Sequence, residues 1–238
     1  MAIEHFTDPF DHWIVDDFIT RDLAVLLSND FLAFHSDQWF DYNNPLEVKR
    51  TLNNWWCFPP ATYEFMEALN SYEFIDKLSA WTGIDGLYAD PGLHGAGWHI
   101  HGNGGKLNVH LDYSIHPKLT LERKLNLILY LTPDWDPAWG GNLEFWKNVD
   151  GEIVHAKTIE CKFNRMVLFD TTQDSWHGFP QPINCPPDKY RKSIAMYYLT
   201  EPRETADANR KRAKYIPTQD QKDDPAIESL IEQRMKLT

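Results

Sequence analysis

Cysteine is scarce in this chain: Cys57, Cys161 and Cys185 are the only three, far apart and without a CxxC pair. That spacing fits neither a disulfide framework nor a thiolate zinc site, and the simplest reading is reduced, intracellular thiols. Basic residues are also few, with 23 Lys and Arg against 35 Asp and Glu and a formal net charge of -12. Such a balance repels phosphate backbones, so nucleic acid is a poor first choice of partner. No uninterrupted apolar run is long enough to span a bilayer, and the opening MAIEHFTDPFDHW has no basic region followed by an apolar stretch. A soluble, cytoplasmic protein with no membrane partner is expected. Internal repeats and low-complexity tracts are absent as well.

Large apolar side chains are plentiful. Ten Trp and thirteen Phe among 238 residues provide for one substantial core with extensions, too little for two full domains. The stretch 1–86 reads as an opening strand and supporting helices. HWIVDD (His12 to Asp17) has strand character, and Thr20 is placed to cap a helix carrying Leu23, Leu26, Leu27, Phe31 and Phe34. Residues Asp37 to Pro60 lose periodicity and read as a packed loop. Helical spacing returns from Ala61 to Thr82, with a break near Asn70. From Leu87 to about residue 200, short apolar or alternating runs are separated by Gly, Pro, Asn and Asp. The expected strands there are Trp98–His101, Leu107–Asp112, Leu125–Leu131, Leu143–Trp146, Glu152–His155, Arg165–Phe169, Trp176–Phe179 and Arg191–Leu199. Many short strands with helices at one end predict a mainly β jelly roll or barrel. The stretch 201–238 reads as a peripheral helical tail of the same structural domain.

Within NVHLDY the period-two alternation of a strand puts His110 and Asp112 on one face and Val109 and Leu111 on the other. An imidazole and a carboxylate so placed need one more ligand to make the two-His, one-carboxylate triad that leaves positions open on Fe(II). His177, in SWHGF, is a candidate for it. With ten His in the chain an HxD pair arises readily by chance, and it gains weight from RKSIAMYYL, where Arg191, Ser193, Ala195 and Tyr197 share a face. A guanidinium matches a carboxylate bidentately, and a hydroxyl beside it adds a second polar contact.

In the order and spacing of HxD, distal His and following Arg, the chain resembles the 2-oxoglutarate and Fe(II)-dependent dioxygenase superfamily, in particular its prolyl-hydroxylase-like branch. The segments that carry the likeness are GNGGKLNVHLD, RKLNLILYLTPDWDPAWGGNLEFW, SWHGF and YRKSIAMYYL, with a weaker match in HWIVDDFITRDLAVLL. The resemblance implies a double-stranded β-helix that holds Fe(II) through His110, Asp112 and His177. It also implies that 2-oxoglutarate is held by Arg191, assisted by Tyr130 and Ser193. O₂ would be the second cosubstrate, with ascorbate as a candidate reductant. The implied reaction is hydroxylation of an unactivated C–H bond with release of succinate and CO₂. The substrate is a prolyl or other residue in a protein or peptide, or alternatively a free amino acid, a sugar or another small metabolite. A net negative chain weakly favours a cationic protein target.

Where close prolyl hydroxylases place an aromatic residue before the glycine-rich stretch, this chain has Ile100 and His101. The loop from His177 to Arg191 is longer than in compact relatives. His99, His101 and His116 are expected in turns or on the surface, and Trp135, Trp139 and Trp146 as packing residues. Tyr197 and Asn126 are weaker candidates for a contact inside the barrel. Two other readings stay open: a cupin-like metal enzyme that does not use 2-oxoglutarate, and a binding module without catalysis. The oligomeric state has no signature in the sequence.

Overall fold

Residues 2–236 are described by the structure, a computed structural model. The chain opens with a hairpin, β1 (Glu4–Phe6) and β2 (His12–Val15), followed by helix α1 (Arg21–Asp30), whose first turn is capped by the Thr20 hydroxyl accepting from the Leu23 N–H. A second hairpin, β3 (Phe40–Asn44) and β4 (Glu47–Leu52), precedes helices α2 (Pro60–Leu69) and α3 (Tyr72–Thr82), with Asn70 closing α2. The β-rich part then runs β5 (Tyr88–Ala89), β6 (Gly97–His101), β7 (Lys106–Leu111), β8 (Glu122–Tyr130), β9 (Leu143–Val149), β10 (Glu152–Ile159), β11 (Met166–Asp170), β12 (Trp176–Phe179) and β13 (Arg191–Thr200). A short β14 (Lys214–Tyr215) and helix α4 (Pro225–Lys236) complete the chain. None of the described helices is long and apolar enough to cross a membrane.

All strands join one antiparallel sheet, ordered β1-β2-β11-β8-β13-β6-β4-β7-β12-β9-β10 along its main path. The sheet curls until its ends face each other: Phe145 of β9 meets Phe169 of β11 at 5.3 Å between ring centroids, and Phe10 packs on Phe145 at 4.5 Å. This is the mainly β jelly roll that the strand spacing predicts, with its helices at one side.

Three strands in the middle of the order explain both the stability and the interior. On β8, Leu125, Leu127 and Leu129 pack against α1, α2 and α3, while Asn126 and Ile128 face a cavity. On β13 the apolar set is Ile194, Met196 and Tyr198, and the cavity set is Arg191, Ser193, Ala195 and Tyr197. On β6, Trp98 and Ile100 alternate with His99 and His101 in the same way. Both faces are covered, so these segments read as nearly continuous apolar runs, yet every second residue is free to carry chemistry.

Two expectations change. The segment from Asp37 to Pro60 is no loop, since β4 lies between β6 and β7 and pairs with both. Its alternation is hard to read because the inward set, Glu47, Lys49 and Thr51, is polar and faces the cavity instead of a core. Asn44 forms the hairpin tip by accepting from the Leu46 and Glu47 N–H groups. The C-terminal segment ends in a helix as expected but is not merely peripheral. β14 pairs with β7, setting Tyr215 opposite His110, and Arg234 of α4 bonds Glu47. Asn108 ties the same region down, donating to the Ile216 carbonyl at 3.2 Å and to Gln221 at 2.6 Å.

Trp98 is fully buried, stacked on Phe31 at 4.7 Å and edge-on to Phe58 at 5.0 Å. It joins the helical layer to β6. Trp98→Ala is expected to lower unfolding free energy by about 3–5 kcal/mol, read by urea denaturation; a loss under about 1 kcal/mol would show that the helices are not anchored there.

Candidate metal centre

His110 and Asp112 lie at the end of β7, on one face as the alternation predicts, and His177 sits directly opposite His110 on the neighbouring β12. Their donor atoms all lie within 4.8 Å of one another. Each imidazole is oriented by a local backbone bond: His110 Nδ1 is 3.0 Å from the Asn108 carbonyl, and His177 Nδ1 is 2.9 Å from the Ser175 carbonyl. A carbonyl only accepts, so each Nδ1 is the donor and each Nε2 is turned toward Asp112. Those Nε2 atoms stand 3.6 Å from the two oxygens of Asp112. Two imidazoles and one carboxylate converging on one point make a donor set that fits a divalent iron.

Gly178 makes this convergence possible. The β12–β7 register shifts just after His177, and a Cβ on Gly178 would stand 2.7 Å from the Leu107 carbonyl oxygen. Any larger residue would push the two ligand strands apart.

Burial pushes the Asp112 carboxyl up, but the Arg123 guanidinium and the two histidines outweigh it and hold the group well below the usual carboxylate range. Arg123 Nη2 lies 3.0 Å from Asp112, and the guanidinium is packed over Tyr197 at 3.2 Å and Tyr113 at 4.8 Å. Asn126 adds a contact from its side-chain amide at 3.4 Å. His177 is driven down to about 4, first by burial and then by His110, so it is neutral at ordinary pH. Arg123 was not among the residues that the sequence singles out. Strict alternation from Asn126 and Tyr130 points it outward, and a bulge where Tyr198 and Leu199 face Leu125 and Arg123 turns it in.

Arg191 opens β13 and is nearly buried, its Nε donating to the Gly141 carbonyl at 2.7 Å. Gly141 has φ +73°, and a Cβ there would meet Arg191 Cδ at 3.0 Å, so glycine is needed for this approach. The guanidinium lies between the rings of Phe179 and Tyr130, at 4.7 and 4.9 Å. Tyr130 is buried and its hydroxyl has no hydrogen-bond partner; burial pushes its proton affinity up, so it remains a donor. Ser193 faces Tyr130 across the β13–β8 ladder and opens onto the cavity.

His101 departs from expectation. It is 2% exposed, pairs with Arg191 in the ladder and lines the cavity with neither ring nitrogen bonded. Burial, then Arg191 and Lys49, keep it neutral. His99 also lines the cavity, with Nε2 3.1 Å from the Gly95 carbonyl. His116 is buried too, 3.5 Å from Asp90 and outside the metal cluster. Tyr197 faces inward and donates to the Gly95 carbonyl at 2.7 Å. Trp135, Trp139 and Trp146 pack around the barrel as expected.

His99, His101, Arg123, Asn126, Ser193 and Tyr197 border one cavity of about 480 Å³, which runs from His110, Asp112 and His177 to Arg191 and out past the β3–β4 hairpin and the C-terminal segment.

Comparison with known proteins agrees with this geometry. A prolyl-4-hydroxylase from Pseudomonas putida has a similar fold, with a TM-score of 0.56 at 14% identity over 80% of this chain and 93% of that one. A Trichoplax adhaerens prolyl hydroxylase in complex with a hypoxia inducible factor peptide superposes with a TM-score of 0.54 at 16% identity, covering 79% and 83%. HygX from Streptomyces hygroscopicus, with nickel, 2-oxoglutarate and hygromycin B bound, gives 0.53 at 10% identity, covering 79% and 82%. No curated protein matches the chain significantly in sequence. Residues 96–199 match the family described as the 2OG-Fe(II) oxygenase superfamily. The matched stretch contains His110, Asp112, His177 and Arg191.

Proposed function

We propose that this chain is an Fe(II)- and 2-oxoglutarate-dependent hydroxylase, with iron held by His110, Asp112 and His177 and the far carboxylate of 2-oxoglutarate held by Arg191. The observation that carries the reading is that two imidazole Nε2 atoms and a carboxylate converge in the same cavity as a nearly buried guanidinium. Bound together, iron and 2-oxoglutarate would supply, with O₂ as the oxidant, hydroxylation of a C–H bond coupled to release of succinate and CO₂.

The residues of the chain do the rest. The Nδ1–H bonds of His110 and His177 fix tautomer and ring angle before any metal arrives. Arg123 keeps Asp112 ionised and in place. Arg191, flanked by Phe179 and Tyr130, offers a partly desolvated cation that a carboxylate can meet bidentately, with Tyr130 Oη and Ser193 beside it. The unpartnered His101 ring, next to Arg191 in the ladder, is a further polar contact for the cosubstrate. For the substrate, the like folds span two classes, since the Trichoplax enzyme holds a peptide and HygX holds hygromycin B. A prolyl-hydroxylase-like activity is the first reaction to assay.

Anaerobic addition of Fe(II) and 2-oxoglutarate should give the visible charge-transfer absorption of the chelate, and His110→Ala should lose both the absorption and succinate formation. Normal turnover in that variant would remove the iron site from consideration. Arg191→Ala is expected to raise the 2-oxoglutarate KM by about 10–100-fold, the worth of a charge-assisted contact, while Fe(II) binding is retained. An unchanged KM would contradict the assignment. Gly178→Ala should weaken Fe(II) binding by about 10–100-fold with the circular dichroism spectrum preserved; undiminished metal affinity would mean that the β12–β7 approach does not set the site.

A further inference from the structure

We propose that the substrate of this site is a small organic anion, held through a carboxylate or phosphate group beside Lys49, with an apolar portion against Phe40 and Tyr42. The inference rests on the hydroxylase reading above and names the substrate class for it.

Charge is the first argument. The chain as a whole is strongly acidic, yet its cavity is lined by six cationic side chains, Lys49, Arg123, Arg191, Lys211, Arg212 and Arg234, against two carboxylates, Glu47 and Asp112. Fe(II) and the 2-oxoglutarate dianion cancel each other, so loading the site leaves the positive excess in place. Low-dielectric walls focus such a field on whatever enters, which attracts anions and repels cations. The acidic outer surface had pointed to a cationic target; the sign inside the site is the opposite and is what a bound substrate meets.

Position is the second argument. Lys49 is on β4 and Arg191 on β13, the strands flanking β6 on either side, so their backbones stand about 10 Å apart. The two cations thus enter the cavity from different strands, which leaves a place for an anion beside Lys49 apart from one on Arg191. Lys49 is tied to Glu47 at 3.0 Å, which holds its ammonium at the cavity wall, and Arg234 approaches Glu47 from α4. Phe40 stands at the cavity rim, 63% exposed, edge-on to Tyr42 at 4.7 Å. A large apolar side chain left in water at the rim of a polar cavity suits the body of a ligand.

Shape is the third argument, and it favours a small molecule over a peptide. An extended peptide often adds to an open strand edge. Here β7, the strand that carries His110, is paired on one side by β12 and on the other by β4 and β14.

The test uses the holoenzyme with Fe(II) and saturating 2-oxoglutarate under anaerobic conditions, and calorimetric titration with phenylacetate, phenyl phosphate, phenylacetamide, phenethylammonium and a proline-rich peptide. At least one of the two anions should bind about tenfold or more tightly than phenylacetamide, with phenethylammonium weakest. The better anion distinguishes carboxylate from phosphate. Lys49→Gln should erase the preference and Lys49→Arg should keep it. Equal affinity for amide and anions, tighter binding of the ammonium, or a preference for the peptide overturns the proposal. The charge-transfer band of the same sample separates the two levels. Anion preference without a band would sink the hydroxylase reading alone, and a band without anion preference would sink this inference alone.

Discussion

A carboxylate that is to serve the proposed metal site has to stay charged where water is excluded, and much of this structure bears on that requirement. Asp112 is 9% exposed, and a lone carboxylate at that depth would take up a proton and lose its value as a ligand. Arg123 prevents this from 3.0 Å away. A buried guanidinium has its own desolvation penalty, which is offset by the faces of Tyr197 and Tyr113 on which it lies. The pair is thus held by Tyr197 and Asn126, which project from β13 and β8, and by Tyr113, two residues past the end of β7.

The sheet can hold these groups because its central strands are anchored from behind. Leu125, Leu127 and Leu129 on β8, with Ile194, Met196 and Tyr198 on β13, are clamped against three helices. That packing fixes the rotation of each strand, and the alternate residues then point into the cavity without freedom to choose. Preorganisation of the site is in this sense a by-product of core packing on the opposite face. The elements that border the outer part of the cavity are of a different kind. The β3–β4 hairpin, β14 and α4 meet in a small apolar cluster of Leu46, Tyr215 and Ile227, and polar links, Asn108 to Gln221 and Arg234 to Glu47, add to it. Of the cations that line the cavity, Lys49 comes from the hairpin and Arg234 from α4.

Legibility in the sequence followed the same division. Parity within one strand is a local property, so the shared face of His110 and Asp112, and that of Arg191, Ser193, Ala195 and Tyr197, could be read from spacing alone. The helices from 21 to 82 announced themselves by apolar periodicity and by Thr20 and Asn70 at their ends. The β3–β4 hairpin did not, because its inward residues are polar and leave no hydrophobic pattern. Arg123 was hidden by a bulge, which reverses parity without any mark in the residues themselves. His101 lies in a strand that was expected, but its depth depends on how far the sheet curls over it.

What the amino-acid sequence determined alone was the mainly β class, the helices that back it, and which side chains travel together on each strand, since backbone geometry enforces those relations over a few residues. Only the tertiary structure decided that His177 stands opposite His110, that Arg123 serves Asp112, and that an acidic chain encloses a basic cavity. Those facts depend on strand register, on one bulge and on the meeting of segments more than a hundred residues apart, none of which short-range periodicity encodes.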